Sequence, residues 1–292
     1  MGHGHTGDTG NIRRILIALV LTGTFMLVEV AGGIIAGSLA LLADAGHMLT
    51  DTMALGLAAV AFHVADRPAD THRSYGYQRF QILAAFVNGL TLLLIVGWIL
   101  FEAVQRFMAP PQVMGKTMLL VAALGLVVNL ISFAALHGGD RNNLNMRAAA
   151  IHVAGDLLGS VAAIAAALVI IGTGWMPIDP ILSVGVALLI LKSAWQLVRR
   201  SSHILLEGAP EWLDTAQMQQ QIVAEVPVVS SIHHVHVWGL TPQHLMLTMH
   251  ICVEELPEDA TPIVRQVKAV LREHYGIGHS TIEIETENCS DN

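Results

Sequence analysis

Six long apolar runs constrain this chain more than any other feature: Ile15–Ile35, Leu39–Val64, Phe80–Phe101, Met118–Leu136, Ala148–Ile171 and Ile178–Val198. A helix rises about 1.5 Å per residue, so ~20 apolar residues cross the ~30 Å hydrocarbon core of a bilayer. In lipid every backbone N–H and C=O needs a partner within the protein, and a continuous apolar run of this length meets that need as a helix. Composition agrees: 53% of the 292 residues are hydrophobic and 13% charged, where soluble domains carry about 25% charged. The expected fold is an α-helical membrane bundle of six transmembrane helices. Little more than Gly37-Ser38 separates the first two runs, which makes them a tight hairpin, and Gly33-x-x-x-Gly37 reads as close helix packing.

Basic residues set the orientation. Arg13 and Arg14, then Arg67, Arg73 and Arg79, then Arg141 and Arg147, and finally Lys192, Arg199 and Arg200 mark one side, against Arg106 and Lys116 on the other. Both termini are therefore expected in the cytoplasm. Three segments follow: a short N-terminal tail (1–12), the six-helix part (13–203) and a polar C-terminal domain (204–292). In that last segment Asp214–Val226 is helical with Asp214 as N-cap, Ile232–Trp238 and Leu245–Glu254 alternate as strands, Pro262–Tyr275 is helical and Thr281–Thr286 is a last strand. The order gives a C-terminal α+β (αββαβ) domain.

Charges inside apolar runs cost about 2.5–3.5 kcal/mol each at the membrane centre, so each needs a reason. His47 and Asp51 stand four apart in the second run, and His152 and Asp156 repeat the spacing in the fifth. Residues i and i+4 share a helix face. Two such helices supply two imidazoles and two carboxylates, a donor set that suits tetrahedral zinc. No cysteine lies in the six runs, which argues against a copper(I) site. Binding there needs neutral imidazole and ionised carboxylate, so metal and protons compete, and a metal–proton exchanger follows. Asp44 shares roughly the face of Asp51; it is either a rim acid on the path of cation or protons, or a carboxylate favoured by the helix dipole. Glu29 either relays protons or makes a structural hydrogen bond. Asn88 and Asn129 read as interhelical hydrogen-bonding groups. Asp179-Pro180 reads as the opening of the sixth helix, Asp as its cap and Pro in its first turn.

In the tail, His233, His234 and His236 fall on the first strand and His250 on the second, so His233 and His250 converge on a metal if the strands pair; the alternative is a scatter of surface histidines. Cys252 and Cys289 form no CxxC pair and no disulfide framework. A net charge of −8 without a basic run excludes nucleic acid as a partner. Neither HxxxD carries a Glu between its ligands, as an HExxH metalloprotease requires, so no enzyme is expected. A sensor needing only an anchor would not use six spans.

The stretches 25–30, 38–51, 144–150, 152–160, 179–183, 205–210 and 233–238 together resemble the cation diffusion facilitator family over nearly the whole chain. The resemblance implies a homodimer in the bacterial inner membrane that exports divalent cations against protons. It puts the transport site on His47, Asp51, His152 and Asp156, with His47 marking a preference for zinc over cadmium. It implies tail ligands at His233, His250, His279 and Glu285, with His236 nearby, and zinc there as a regulator. Where some relatives hold a further site after span two, this chain has Asp70 and His72 beside Arg73 and Tyr77. Arg79 and Glu207 occupy positions that pair at the dimer centre of a relative.

Overall fold

A computed structural model describes residues 5–65, 67–137 and 144–286. The six apolar runs are six helices: α1 (His5–Ala36), α2 (Leu39–Ala65), α3 (Phe80–Met108), α4 (Gly115–His137), α5 (Leu144–Thr173) and α6 (Ile178–Leu205). Each extends past its apolar run, and α1 takes in most of the polar N-terminal stretch. Among the described residues α3, α4, α5 and α6 hold stretches long and apolar enough to cross a membrane, and α1 and α2 contribute the shorter apolar stretches Val20–Ala36 and Leu39–Leu49. Leu94, Phe101, Leu120, Leu158 and Leu189 are exposed while Glu29, Asp44 and Asp156 are buried. That inside-out distribution is stable only with lipid outside.

The chain divides into two compact units, the first made of residues up to Leu57 together with Val87–Leu197. Two apolar groups hold it together. Phe25 and Met26 of α1, Leu41 and Met48 of α2, Met118 and Val121 of α4 and Ala163, Ala167 and Ile170 of α5 form one. Leu39 and Ala43 of α2, Val96 and Ile99 of α3 and Ala187 and Ile190 of α6 form the other. Helix α2 belongs to both. Small residues allow close approach: a Cβ on Gly33 would lie 2.9 Å from the Leu42 side chain and one on Gly125 2.9 Å from Phe25. Directions follow from two contacts. The Met114 N–H donates to Ala36 C=O at 2.8 Å, so α4 starts where α1 ends. Gly115 lies against Ile170 and Ile171, so α5 ends there too. Hence α5 runs with α1, and α2, its hairpin partner, runs against both.

The hairpin turns at Gly37, whose φ of 67° is the left-handed conformation glycine adopts without a Cβ penalty. Asp179 differs from expectation. It lies within the first turn of α6 rather than ahead of it, and its carboxylate caps α2 instead. It accepts from Ser38 Oγ (2.6 Å), Leu39 N (2.8 Å) and Ala40 N (3.2 Å). Arg106, at the end of α3, donates to Gly37 C=O at 2.6 Å and lies 3.7 Å from Asp179. The physical reason is that Ser38 leaves the first N–H groups of α2 without helical acceptors in a buried corner, and a carboxylate satisfies several at once.

The second unit comprises Ala58–Phe86 and the chain from Val198. Its tail folds as α7 (Thr215–Glu225), β1 (Val229–Thr241), β2 (His244–Val253), α8 (Thr261–Tyr275) and β3 (His279–Glu285), an αββαβ order. Asp214 caps α7 through Ala216 N and Gln217 N, and Gly276 ends α8 with φ 64°. The sheet order is β1-β2-β3, with β1 antiparallel and β3 parallel to β2. The parallel pair needs a crossover, which α8 provides. Leu245, Leu247, Met249, Ile251 and Val253 point to one face and form the core with Met218, Ile222, Val267 and Leu271 of the two helices.

Candidate metal centres

In the bundle, Asp44 and His47 lie one turn apart on α2, and Asp156 on α5; Asp44 and Asp156 are buried and His47 half-buried. Asp44 lies close enough to both to interact electrostatically. A Cβ built on Gly159 would stand 3.4 Å from the Asp44 carboxylate, an ordinary contact, so α5 passes close beside Asp44 of α2. Glu29 of α1 comes within hydrogen-bonding reach of Asp44. Asn129 of α4 donates to Ser160 Oγ at 3.2 Å, one turn past Asp156, as expected of an interhelical group. The side chains of Asp51 and His152 lie outside the described residues; their backbone positions are in α2 and α5.

In the tail, the strands bring His233, His250 and Glu285 together. His233 pairs with His250 across β1 and β2. Glu285 Oε1 is 3.1 Å from His250 Nδ1 and Glu285 Oε2 is 3.1 Å from His233 Nε2. A bulge between His233 and His236, with His234 at φ 46°, breaks strand alternation. Consequently two consecutive histidines reach His250: ring centroids are 5.2, 5.4 and 5.1 Å apart among His233, His234 and His250. Ligand atoms of those three histidines lie within 4.8 Å of one another, as do those of His233, Cys252 and Glu285. Neither His234 nor Cys252 is expected in these groups from the sequence; the doubled His233-His234 is the visible signal for the first. His236 lines a cavity of about 430 Å³ with His234, His250 and Glu283. His279 opens β3, joins neither of these groups, and sets its ring edge-on to Tyr75 at 6.4 Å.

The loop after α2 is organised by Asp70, which accepts from Arg73 N (2.7 Å), His72 N (2.8 Å) and Tyr77 Oη (2.8 Å). The Tyr77 hydroxyl first, then the two backbone N–H groups, hold its carboxyl below the ordinary value. Arg79 Nη2 lies 3.1 Å from Glu207 Oε1 within one chain, Glu207 being held at φ 61°.

Among the described residues, buried carboxylates and an imidazole lie between apolar spans, the pattern of a multi-pass membrane protein that handles cations. Residues 15–206 match the cation efflux transmembrane domain and residues 214–287 the cation efflux protein cytoplasmic domain, so the chain belongs to the cation efflux family of transporters and is not an enzyme. It is similar to the zinc transporter ZitB of Pectobacterium atrosepticum, 50% identical over 290 residues, which span 99% of this chain and 90% of that one. ZitB of Escherichia coli is 49% identical over 292 residues, spanning 98% and 93%. The cadmium, cobalt and zinc/H(+)-K(+) antiporter of Bacillus subtilis is 42% identical over 291 residues, spanning 98% and 93%.

Proposed function

We propose that this chain exports Zn²⁺ from the bacterial cytoplasm in exchange for protons, holding the ion between α2 and α5 on His47, Asp51, His152 and Asp156. The observation that carries this reading is the contact of Asp44 with Gly159 between antiparallel helices. Antiparallel neighbours match in reverse order, so three residues on along α2 and three back along α5 pair His47 with Asp156. Four further pair Asp51 with His152. The two HxxxD motifs thus fall level and supply two nitrogens and two oxygens to one tetrahedral ion. Protons and Zn²⁺ compete for those donors, which couples loading to proton release. The ion reaches the outside by alternating access about this site. The names of the relatives support zinc as cargo, and that of the Bacillus antiporter supports protons as counter-ion.

The excess of Lys and Arg flanking one side of the spans supports cytoplasmic termini in an inner-membrane protein. The polar segment 204–292 is a cytoplasmic domain that joins two copies in a homodimer, and its match to a dimerisation family supports this. Arg79 and Glu207 tie the loop after α2 to the end of α6 in each subunit. Glu29 and Asp44, joined at the rim of the site, line the path of cation or protons. In the tail, His233, His250 and Glu285 hold a regulatory Zn²⁺, with His236 alongside; His279 stands apart toward Tyr75. The test is metal-dependent proton flux in reconstituted vesicles. Asp51→Ala and Asp156→Ala should each abolish Zn²⁺-driven proton release, and normal exchange in either overturns the reading.

A further inference from the structure

The middle strand of the tail places Cys252 beside His233 and Glu285, their ligand atoms within 4.8 Å of one another. β2 has neighbours on both sides: His250 lies between His233 and Glu283, and Cys252 between Ser231 and Glu285. Residues two apart on a strand share a face, as do directly paired residues on adjacent strands. His250, Cys252, His233 and Glu285 therefore all occupy the face opposite the one packed on α7 and α8. The thiol is buried and free of any disulfide. Its Sγ stands 3.6 Å from His233 Nδ1. Zn–S near 2.3 Å and Zn–N near 2.0–2.1 Å put sulfur and nitrogen about 3.5 Å apart on a tetrahedral edge. A cysteine acting only as a small core hydrophobe has no need of an imidazole at that distance.

We propose that Cys252 is a ligand of the tail's metal centre, its thiolate joining His233, His250 and Glu285 to make a mixed nitrogen, sulfur and oxygen site. This rests on the reading of the tail as metal-binding. The thiol proton leaves to solvent as the sulfur–metal bond forms, so one proton is released for each ion bound through sulfur. A thiolate favours soft and borderline cations. The tail centre is consequently softer than the all-nitrogen-and-oxygen site in the bundle and holds Cd²⁺ more tightly relative to Zn²⁺ than that site does. The two centres read the cytoplasmic metal pool with different preferences.

The chain has two cysteines, which makes a spectroscopic test clean. The full-length protein, reduced, in detergent and carrying Asp51→Ala and Asp156→Ala to silence the bundle site, is titrated with Co²⁺. Visible d–d bands report any bound cobalt, and a near-ultraviolet sulfur-to-cobalt band reports a thiolate ligand. We expect both bands in this background and in its Cys289→Ser form, loss of the sulfur band alone in Cys252→Ser, and loss of all bands in His250→Ala with Glu285→Ala. Cys252→Ser should also weaken Cd²⁺ binding by at least the roughly tenfold that loss of even an outer-shell partner costs. Persisting d–d bands show that Cys252→Ser still holds the centre. If d–d bands sensitive to His250 and Glu285 appear without a sulfur band, the thiolate proposal fails and the metal centre stands. If the sulfur band survives in Cys252→Ser, Cys289 is the ligand and the proposal fails. If no cobalt bands appear at all, the reading of the tail as a metal centre fails and takes the proposal with it.

Discussion

Replacing Asp179 by alanine tests whether the buried corner at the start of α2 is held as described. The substitution removes the acceptor for Ser38 Oγ at 2.6 Å, Leu39 N at 2.8 Å and Ala40 N at 3.2 Å. Losing a helix cap costs about 0.5–2 kcal/mol, and each buried donor left unmatched costs about 1–3 kcal/mol. These contributions describe overlapping bonds and are not summed. Breaking a buried ion pair costs about 3–5 kcal/mol when a charge is orphaned, but Arg106 keeps Glu102 at 3.0 Å. The charge contribution is therefore muted, and we expect about 3 kcal/mol for Asp179→Ala, toward the low end of that range. Asparagine caps helices about as well as aspartate, so Asp179→Asn should cost only about 1–2 kcal/mol. Ser38→Ala removes one bond and should cost about 1 kcal/mol. Because Ser38 and Asp179 share that bond, the double variant should fall short of the sum of the singles by about 0.5–1.5 kcal/mol. The assay is reversible unfolding in mixed micelles followed by circular dichroism. Asp179→Ala within about 0.5 kcal/mol of the parent, or full additivity with Ser38→Ala, refutes the cap.

Three further outcomes are expected. Gly159→Ala should transport normally, because its Cβ meets Asp44 at an ordinary 3.4 Å, whereas Gly159→Leu should drive into that carboxylate and lower transport at least tenfold in vesicle flux; equal rates for the two refute the close approach of α2 and α5. His47→Asp should relax selectivity, raising Cd²⁺ flux relative to Zn²⁺ in competition assays, and an unchanged ratio removes His47 as selector. Asp70 titrates below its ordinary value chiefly because of Tyr77. Its stabilisation of the loop is therefore present above the unfolded value of about 3.9 and is lost as pH falls through the lower folded value. Tyr77→Phe should move the Asp70 titration upward in carboxyl ¹³C NMR, and an unmoved midpoint would sink that assignment.

What could be read from the residues divides along a physical line. Features fixed within one segment were legible. The six apolar runs became six helices because lipid leaves the backbone no other partner. Asp214 caps α7 and Gly276 ends α8 because cap and turn chemistry act over a few residues. The alternation from Leu245 to Val253 identified the core face of β2, and all five of its residues are buried. The HxxxD spacing drew attention to α2 and α5, and the contact of Asp44 with Gly159 is what shows those helices to be neighbours.

Features that depend on which segments meet were not legible. Asp179 reads locally as the cap of its own helix, yet the N–H groups it satisfies belong to a helix start 140 residues away. Nothing in Asp-Pro distinguishes the two uses, because a cap is defined by the donors it meets in space. The tail histidines show the same limit at shorter range. Strict alternation puts His233 and His234 on opposite faces, and only a bulge with His234 at φ 46° turns both toward His250. Cys252 could be placed on the face of His250 from alternation alone. That Glu285 stands beside it required knowing that β3 adds parallel to β2 rather than beside β1. A sequence therefore displays donors strand by strand, and the order of strands in the sheet decides which of them can share one ion.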